Sequence, residues 1–147
     1  MSNSSLRSVA LCDCLAIRQA ARQITQLYER YLSREGLSAN QYAILRKLSQ
    51  FEDLSISHLA LSMVMDATSV SRAIKPLVRD LLISVSTDQD ARTRKLKLTK
   101  TGRVRLKSAT VLWQKAQHEF EAAYGLQEAQ HLRHTMWRVV ELSKPPE

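Results

Sequence analysis

A chain of 147 residues with only three glycines and three prolines, two of those prolines in the closing KPPE, has almost nothing inside it to stop a helix. Gly36, Pro76, Gly102 and Gly125 are the breakers before the final residues. Glycine and proline are the strongest local punctuation a sequence has, so their scarcity predicts long helices and excludes an all-β fold. Hydrophobic residues at 44% and charged residues at 24% supply a core and a solvated surface, unlike the composition of a disordered chain. The length suits one compact domain, or one domain with helical arms that complete a partner's core.

Apolar spacing divides the chain between those breakers. Ala10, Cys14, Ile17, Ala21, Ile24, Tyr28 and Tyr31 alternate steps of four and three, a heptad-like seam on a helix spanning about residues 8–35. After Gly36, Ser38 is placed to cap a second helix with Tyr42, Leu45, Leu48 and Phe51 on its apolar side. A polar EDLS break precedes a short helix with Ile56, Leu59, Ala60 and Met63 on one side. Asp66 then caps a further helix buried through Val70, Ala73, Ile74 and Leu77, which Pro76 should kink. ISVS (83–86) and RKLKLT (94–99) alternate as a hairpin, with Ile83, Val85, Leu96 and Leu98 on one face and Lys95 and Lys97 on the other. Thr99 opens a long helix to about Ala123, and after Gly125 a last helix carries Ala129, Leu132, Met136 and Val139 on one face.

The expected fold is therefore mainly α with a small β-hairpin wing. A winged helix-turn-helix occupies about residues 38–102 of a single domain, and long terminal helices at about 8–35 and 103–144 dimerise through seams that one small domain does not cover.

A net charge of +8 and a pI near 9.9 point to a polyanionic partner, nucleic acid or an anionic membrane face. No stretch approaches the roughly 18 apolar residues of a spanning helix, and MSNSSLRSVAL lacks the apolar run of a secretory signal, so a cytoplasmic protein is expected. Cys12 and Cys14 are too few for a disulfide framework and too close for an unstrained bridge, so they are expected as reduced thiols. Cys14, on the seam, is expected to pack as an ordinary small hydrophobe.

Two stretches carry candidate binding chemistry. In DATSVSRAIK, with Val70, Ala73 and Ile74 facing inward, Thr68, Ser69, Ser71, Arg72 and Lys75 fall on the outer face or its flanks. Short hydroxyls there can approach base edges and phosphates, and Arg72 can make a bidentate contact to guanine. In DQDARTR, Arg92 and Arg94 flank the hairpin turn. Asp90 is close enough to pair with one of them and hold it extended for the narrow minor groove. Lys95, Lys97, Lys100 and Arg103 would supply phosphate contacts. Against these readings stand a merely polar helix start, a solvated charge run, and a non-specific nucleic-acid or anionic-membrane binder. No nucleophile with a base, glycine-rich phosphate loop or acid-base pair indicates an enzyme. His131 and His134 lack the carboxylate or cysteine partners of a metal site, and no metal or cofactor is assigned. Trp113, Phe120, Tyr28, Tyr31 and Trp137 stand as candidate pocket lining or as core.

The order of two short helices, hairpin and long helix, with SVSR in the second short helix and DQDARTRKLKLTKTGR at the wing, resembles the MarR family of dimeric winged helix-turn-helix transcriptional regulators. Its most specific part is an Asp-x-Arg wing followed by Leu-Thr-x-x-Gly, here Asp90, Arg92, Leu98, Thr99 and Gly102. The resemblance implies that Arg92 enters the minor groove with Asp90 orienting it, and that the helix from Asp66 lies in the major groove of double-stranded DNA. It implies a homodimer on a palindromic operator. It further implies a repressor relieved by a small aromatic or phenolic ligand, or by oxidation of a cysteine such as Cys12 or Cys14. Two departures stand out: Leu81 where the family commonly has glycine before the wing, and a turn around Val64 without glycine.

Overall fold

In the computed structural model, residues 12–87, 89 and 92–142 are described. Six helices and a small sheet follow in order: α1 (Asp13–Leu32), a 3₁₀ turn (Ser33–Glu35), α2 (Ala39–Gln50), β1 (Leu54–Ser55), α3 (Ile56–Met63), α4 (Ala67–Arg79), β2 (Ile83–Thr87), β3 (Arg94–Leu98), α5 (Lys100–Tyr124) and α6 (Leu126–Leu142). The mainly helical fold with a β wing is as expected.

Local chemistry sets the helix starts. Ser38 accepts from the Gln41 amide at 3.1 Å while the Gln41 side chain accepts from the Ser38 amide at 3.0 Å, a reciprocal capping box. Ser55 opens α3, Asp66 opens α4 and Thr99 opens α5, each by accepting an amide three residues on. Pro76 lies within α4, which continues past it to Arg79.

The core sits where α2, α3, α4 and the sheet meet the N-terminal half of α5. Ile44, Leu45, Leu59, Val70, Leu77, Leu82, Ile83 and Leu96 are all buried there. Burying each such side chain stabilises the fold by about 1.5–3 kcal/mol. The hairpin register pairs Ile83 with Leu98 and Val85 with Leu96, so these four residues share a face as expected. Val85 nonetheless stays 41% exposed, because β2 is an edge strand.

Three features differ from the sequence reading. The sheet has three strands in the order β1-β3-β2, since Leu54 and Ser55 pair with Leu96 and Lys95. Phe51 is 56% exposed, and Ile44 takes its expected place in the core. Cys14 is exposed in the single chain; among the described residues of α1 only Leu32 is buried. α6 likewise buries only Ala129.

One junction ties the wing to both of its neighbours. The Thr99 hydroxyl donates to the Leu81 carbonyl at 2.6 Å, and the Thr99 amide donates to the Leu82 carbonyl at 3.1 Å. That hydroxyl oxygen in turn accepts from the Gly102 amide at 2.9 Å. Gly102 packs so closely that a Cβ on it would lie 2.1 Å from the Leu82 carbonyl oxygen. The end of α4, the end of β3 and the start of α5 are therefore fixed at one point.

Candidate nucleic-acid interface

The sequence around α4 separates a buried face from a wet one. Val70, Ile74 and Leu77 anchor the helix in the core, which turns Thr68, Arg72 and Lys75 to solvent and leaves Ser69 and Ser71 half-buried. Asp66 holds the leading end, with Oδ1 accepting the Ser69 amide at 2.8 Å and Oδ2 accepting the Ser69 hydroxyl at 2.7 Å. Those bonds, the hydroxyl's first, hold the Asp66 carboxyl below its ordinary value. Ser69 is thus committed to the cap, so the exposed polar surface of α4 consists chiefly of Thr68, Arg72 and Lys75.

At the wing, Arg92 and Arg94 are exposed. Lys95, in the central strand opposite Ser86 and Ser55, is half-buried, and Lys97 is exposed. Asp90, the expected partner of Arg92, lies outside the described residues. Among the described residues, no acid pairs with Arg72, Lys75, Arg92 or Arg94, whereas Arg79 is held by Asp80 and Arg105 by Glu35. Arg72, Lys75, Arg92 and Arg94 are thus exposed together on the surface. No described helix is long and apolar enough to cross a membrane.

Two concave regions lie behind this surface. The first, about 330 Å³, opens where α1, α2 and α5 converge and is lined by Tyr28, Tyr42, Arg46, Lys47, Gln50 and Trp113 among others. Tyr42 stacks on Trp113 with centroids 6.2 Å apart, and the Arg46 guanidinium lies over the other partner of that stack, 5.8 Å from the Trp113 ring centre. The second is an apolar groove of about 410 Å³ among α1, α5 and α6, lined by Ile17, Ile24, Phe120, Met136 and Trp137 among others. The candidate pocket aromatics thus divide: Tyr28 and Trp113 line the first cavity, while Phe120 and Trp137 line the groove, which Tyr28 also borders. Tyr31 donates to Glu119 and takes no part in either. Arg46 and Lys47 are the cavity residues that sequence reasoning missed. Their position on a helix otherwise noted for its apolar side was the available signal.

Cys12 caps α1, its Sγ accepting the Leu15 amide at 3.4 Å, and both thiols are exposed and free. Among the described residues no group of three or more His, Cys, Asp or Glu side chains is placed to hold a metal.

The MarR family model matches residues 37–93, the helix-turn-helix and most of the wing. The transcriptional regulator MosR of M. tuberculosis is 30% identical to this chain, with a TM-score of 0.80 over 91% of this chain and 96% of MosR. The chain belongs to the MarR family. Like MosR, it is a MarR-family transcriptional regulator. MosR in complex with DNA is 31% identical over 90% of this chain and 96% of that one, with a TM-score of 0.80. CouR of Rhodococcus jostii RHA1, bound to p-coumaroyl-CoA, shares this MarR fold at 14% identity, with a TM-score of 0.79 over 93% of this chain and 97% of CouR. Curated protein sequences give no match.

Proposed function

We propose that this chain is a homodimeric repressor that binds a palindromic operator in double-stranded DNA. The observation that carries the reading is the arrangement of α4. Its buried stripe and Asp66 cap fix the helix, and Thr68, Arg72 and Lys75 are left outward beside a wing bearing Arg92 and Arg94. A helix with short hydroxyls and an exposed arginine near its leading end fits the major groove, and a wing-tip arginine fits the minor groove. The structure of MosR in complex with DNA supports DNA as the partner.

Dimerisation is supported by the apolar faces of α1 and α6, on which Ile17, Trp137 and Leu142 are exposed in the single chain. A second copy is the economical cover for two matching seams. The winged unit of about 38–102 and the arms at about 8–35 and 103–144 then divide reading from pairing.

Release of DNA is assigned to a small aromatic carboxylate in the cavity between α1, α2 and α5. The Trp113 and Tyr42 rings stack on such a ligand's ring, and Arg46 with Lys47 meets its carboxylate. CouR, which shares the fold, is bound to p-coumaroyl-CoA, a thioester of a phenolic acid, and so supports only the aromatic part of that class. A second route is oxidation of Cys12 or Cys14, favoured by the exposure of both thiols. Peroxide treatment that leaves DNA affinity unchanged removes that route.

The deciding experiment is competition in a gel shift between DNA selected by the protein from a random pool and unselected DNA of equal length. Specific binding survives excess unselected competitor. Equal binding of both at every salt concentration fits a non-specific polyanion binder and ends the repressor reading.

A further inference from the structure

Three helical segments of this chain close by the same pair of backbone hydrogen bonds. At the 3₁₀ turn, Leu37 donates to the Leu32 carbonyl at 3.3 Å and Gly36 to Ser33 at 2.9 Å. After α3, Met65 donates to Ala60 at 3.0 Å and Val64 to Leu61 at 3.2 Å. After α4, Leu82 donates to Leu77 at 2.8 Å and Leu81 to Val78 at 3.0 Å. This closure needs a left-handed residue in its middle, here Gly36 at φ 69°, Val64 at φ 53° and Leu81 at φ 59°. Glycine adopts that angle freely, whereas any Cβ crowds the following carbonyl, and a β-branched side chain is the least suited of all.

Val64 carries a second cost. Its neighbours Met63 and Met65 are half-buried and pack against the core, so the turn projects Val64 outward, where it is 66% exposed. A valine there serves neither backbone conformation nor solubility, and such an outlier points to contact with something outside the chain. Its place says what. Val64 leads directly into Asp66 and the exposed Ala67 and Thr68, the leading end of α4.

We propose that Val64 is a specificity determinant for DNA, its methyl groups packing on the C5-methyl of a thymine in each half-site. This rests on the reading above that α4 lies in the major groove. The thymine methyl is the one apolar group that the major-groove edge of the bases offers. Leu81 provides a built-in comparison. It has the same backbone strain and is 70% exposed, but it sits at the far end of α4, about 20 Å along the helix from its start.

The test uses DNA selected by the full-length wild-type protein from a random pool, with each thymine replaced in turn by uracil. Wild type is expected to show one thymine per half-site whose replacement weakens binding about fourfold, the value of one buried methyl-sized group. Val64→Gly should raise Tm by about 2–4 °C through relief of strain, bind the thymine DNA more weakly, and no longer distinguish uracil at that position. Val64→Ala, which keeps a Cβ and so the backbone restriction, should lose the same discrimination. Leu81→Gly should raise Tm while leaving affinity and discrimination at wild-type values. The inference fails if Val64→Gly binds as tightly as wild type. It also fails if affinity drops with thymine discrimination intact, or if Tm falls. Should wild type select no sequence at all, the sequence-specific reading itself is refuted and this inference falls with it.

Discussion

Replacing Gly102 with alanine should unseat the junction between wing and long helix. The added Cβ would lie 2.1 Å from the Leu82 carbonyl oxygen and 2.7 Å from Leu98 Cδ1. Carbon and oxygen approach no closer than about 3.3 Å, so the backbones must part by about 1 Å. The first of these obstacles is main chain and cannot swing aside as a side chain would. The Thr99 amide donates to that carbonyl at 3.1 Å, and a shift of this size takes it beyond hydrogen-bonding range. One lost bond at a net ~0.5–1.5 kcal/mol, with a carbonyl left poorly satisfied at roughly 1–3 kcal/mol, sets the cost. Alanine's better helix propensity returns about 1 kcal/mol. The balance is a destabilisation of about 1–3 kcal/mol, or a Tm lower by roughly 2–12 °C for a chain of this length. Urea denaturation and thermal melts followed by far-UV circular dichroism, at fixed protomer concentration because a dimer's stability depends on it, give the number. A loss below about 1 kcal/mol would refute the claim that this contact fixes the wing.

Three further outcomes are expected. Arg92→Ala should cost about 1–3 kcal/mol of DNA affinity with melting unchanged, measured by fluorescence anisotropy on selected DNA; unaltered affinity would remove Arg92 from the interface. Arg46→Met should weaken binding of 4-hydroxybenzoate while leaving DNA affinity intact, and calorimetric titration showing equal ligand affinity in both proteins would displace the carboxylate from that cavity. Asp66 is held below its ordinary value of 3.8, so its stabilising contribution is complete above that value and is lost as pH falls through the lower folded-state value. Asp66→Ala should therefore flatten the acid limb of stability, and superimposable acid titrations of the two proteins would contradict the capping role.

Much of the fold was legible because it is locally encoded. Ser38, Asp66 and Thr99 announce helix starts through chemistry confined to three or four residues, and the alternation of RKLKL is a short-range signal. What escaped was set by distance or by where a helix ends. β1 is two residues long and exists only through Leu96 and Lys95, some forty positions away, so no local pattern marks it. Phe51 continues the three-residue steps of α2 by number, but it closes that helix in extended backbone at φ −126° and ψ 122°, where helical spacing no longer sets its direction. Ile44, next to Leu45, widens the buried arc beyond those steps. Of the site, the buried stripe of α4 placed Thr68, Arg72 and Lys75 correctly on its outer surface, but Ser69's engagement with Asp66 depends on rotamers that spacing does not specify. The absence of glycine at Val64 and Leu81 was visible, yet only the backbone shows that both positions keep the left-handed closure regardless.

The two tryptophans of the chain stand in different places: Trp113 in the cavity beneath Arg46, and Trp137 in the apolar groove between α1 and α6. Each event proposed for the protein thus has a tryptophan of its own. With Trp137 replaced by phenylalanine, emission reports ligand entering beside the guanidinium; with Trp113 replaced, it reports dilution of the protomers from each other. Effector binding and subunit exchange become separately visible in a cuvette, without a label and without DNA.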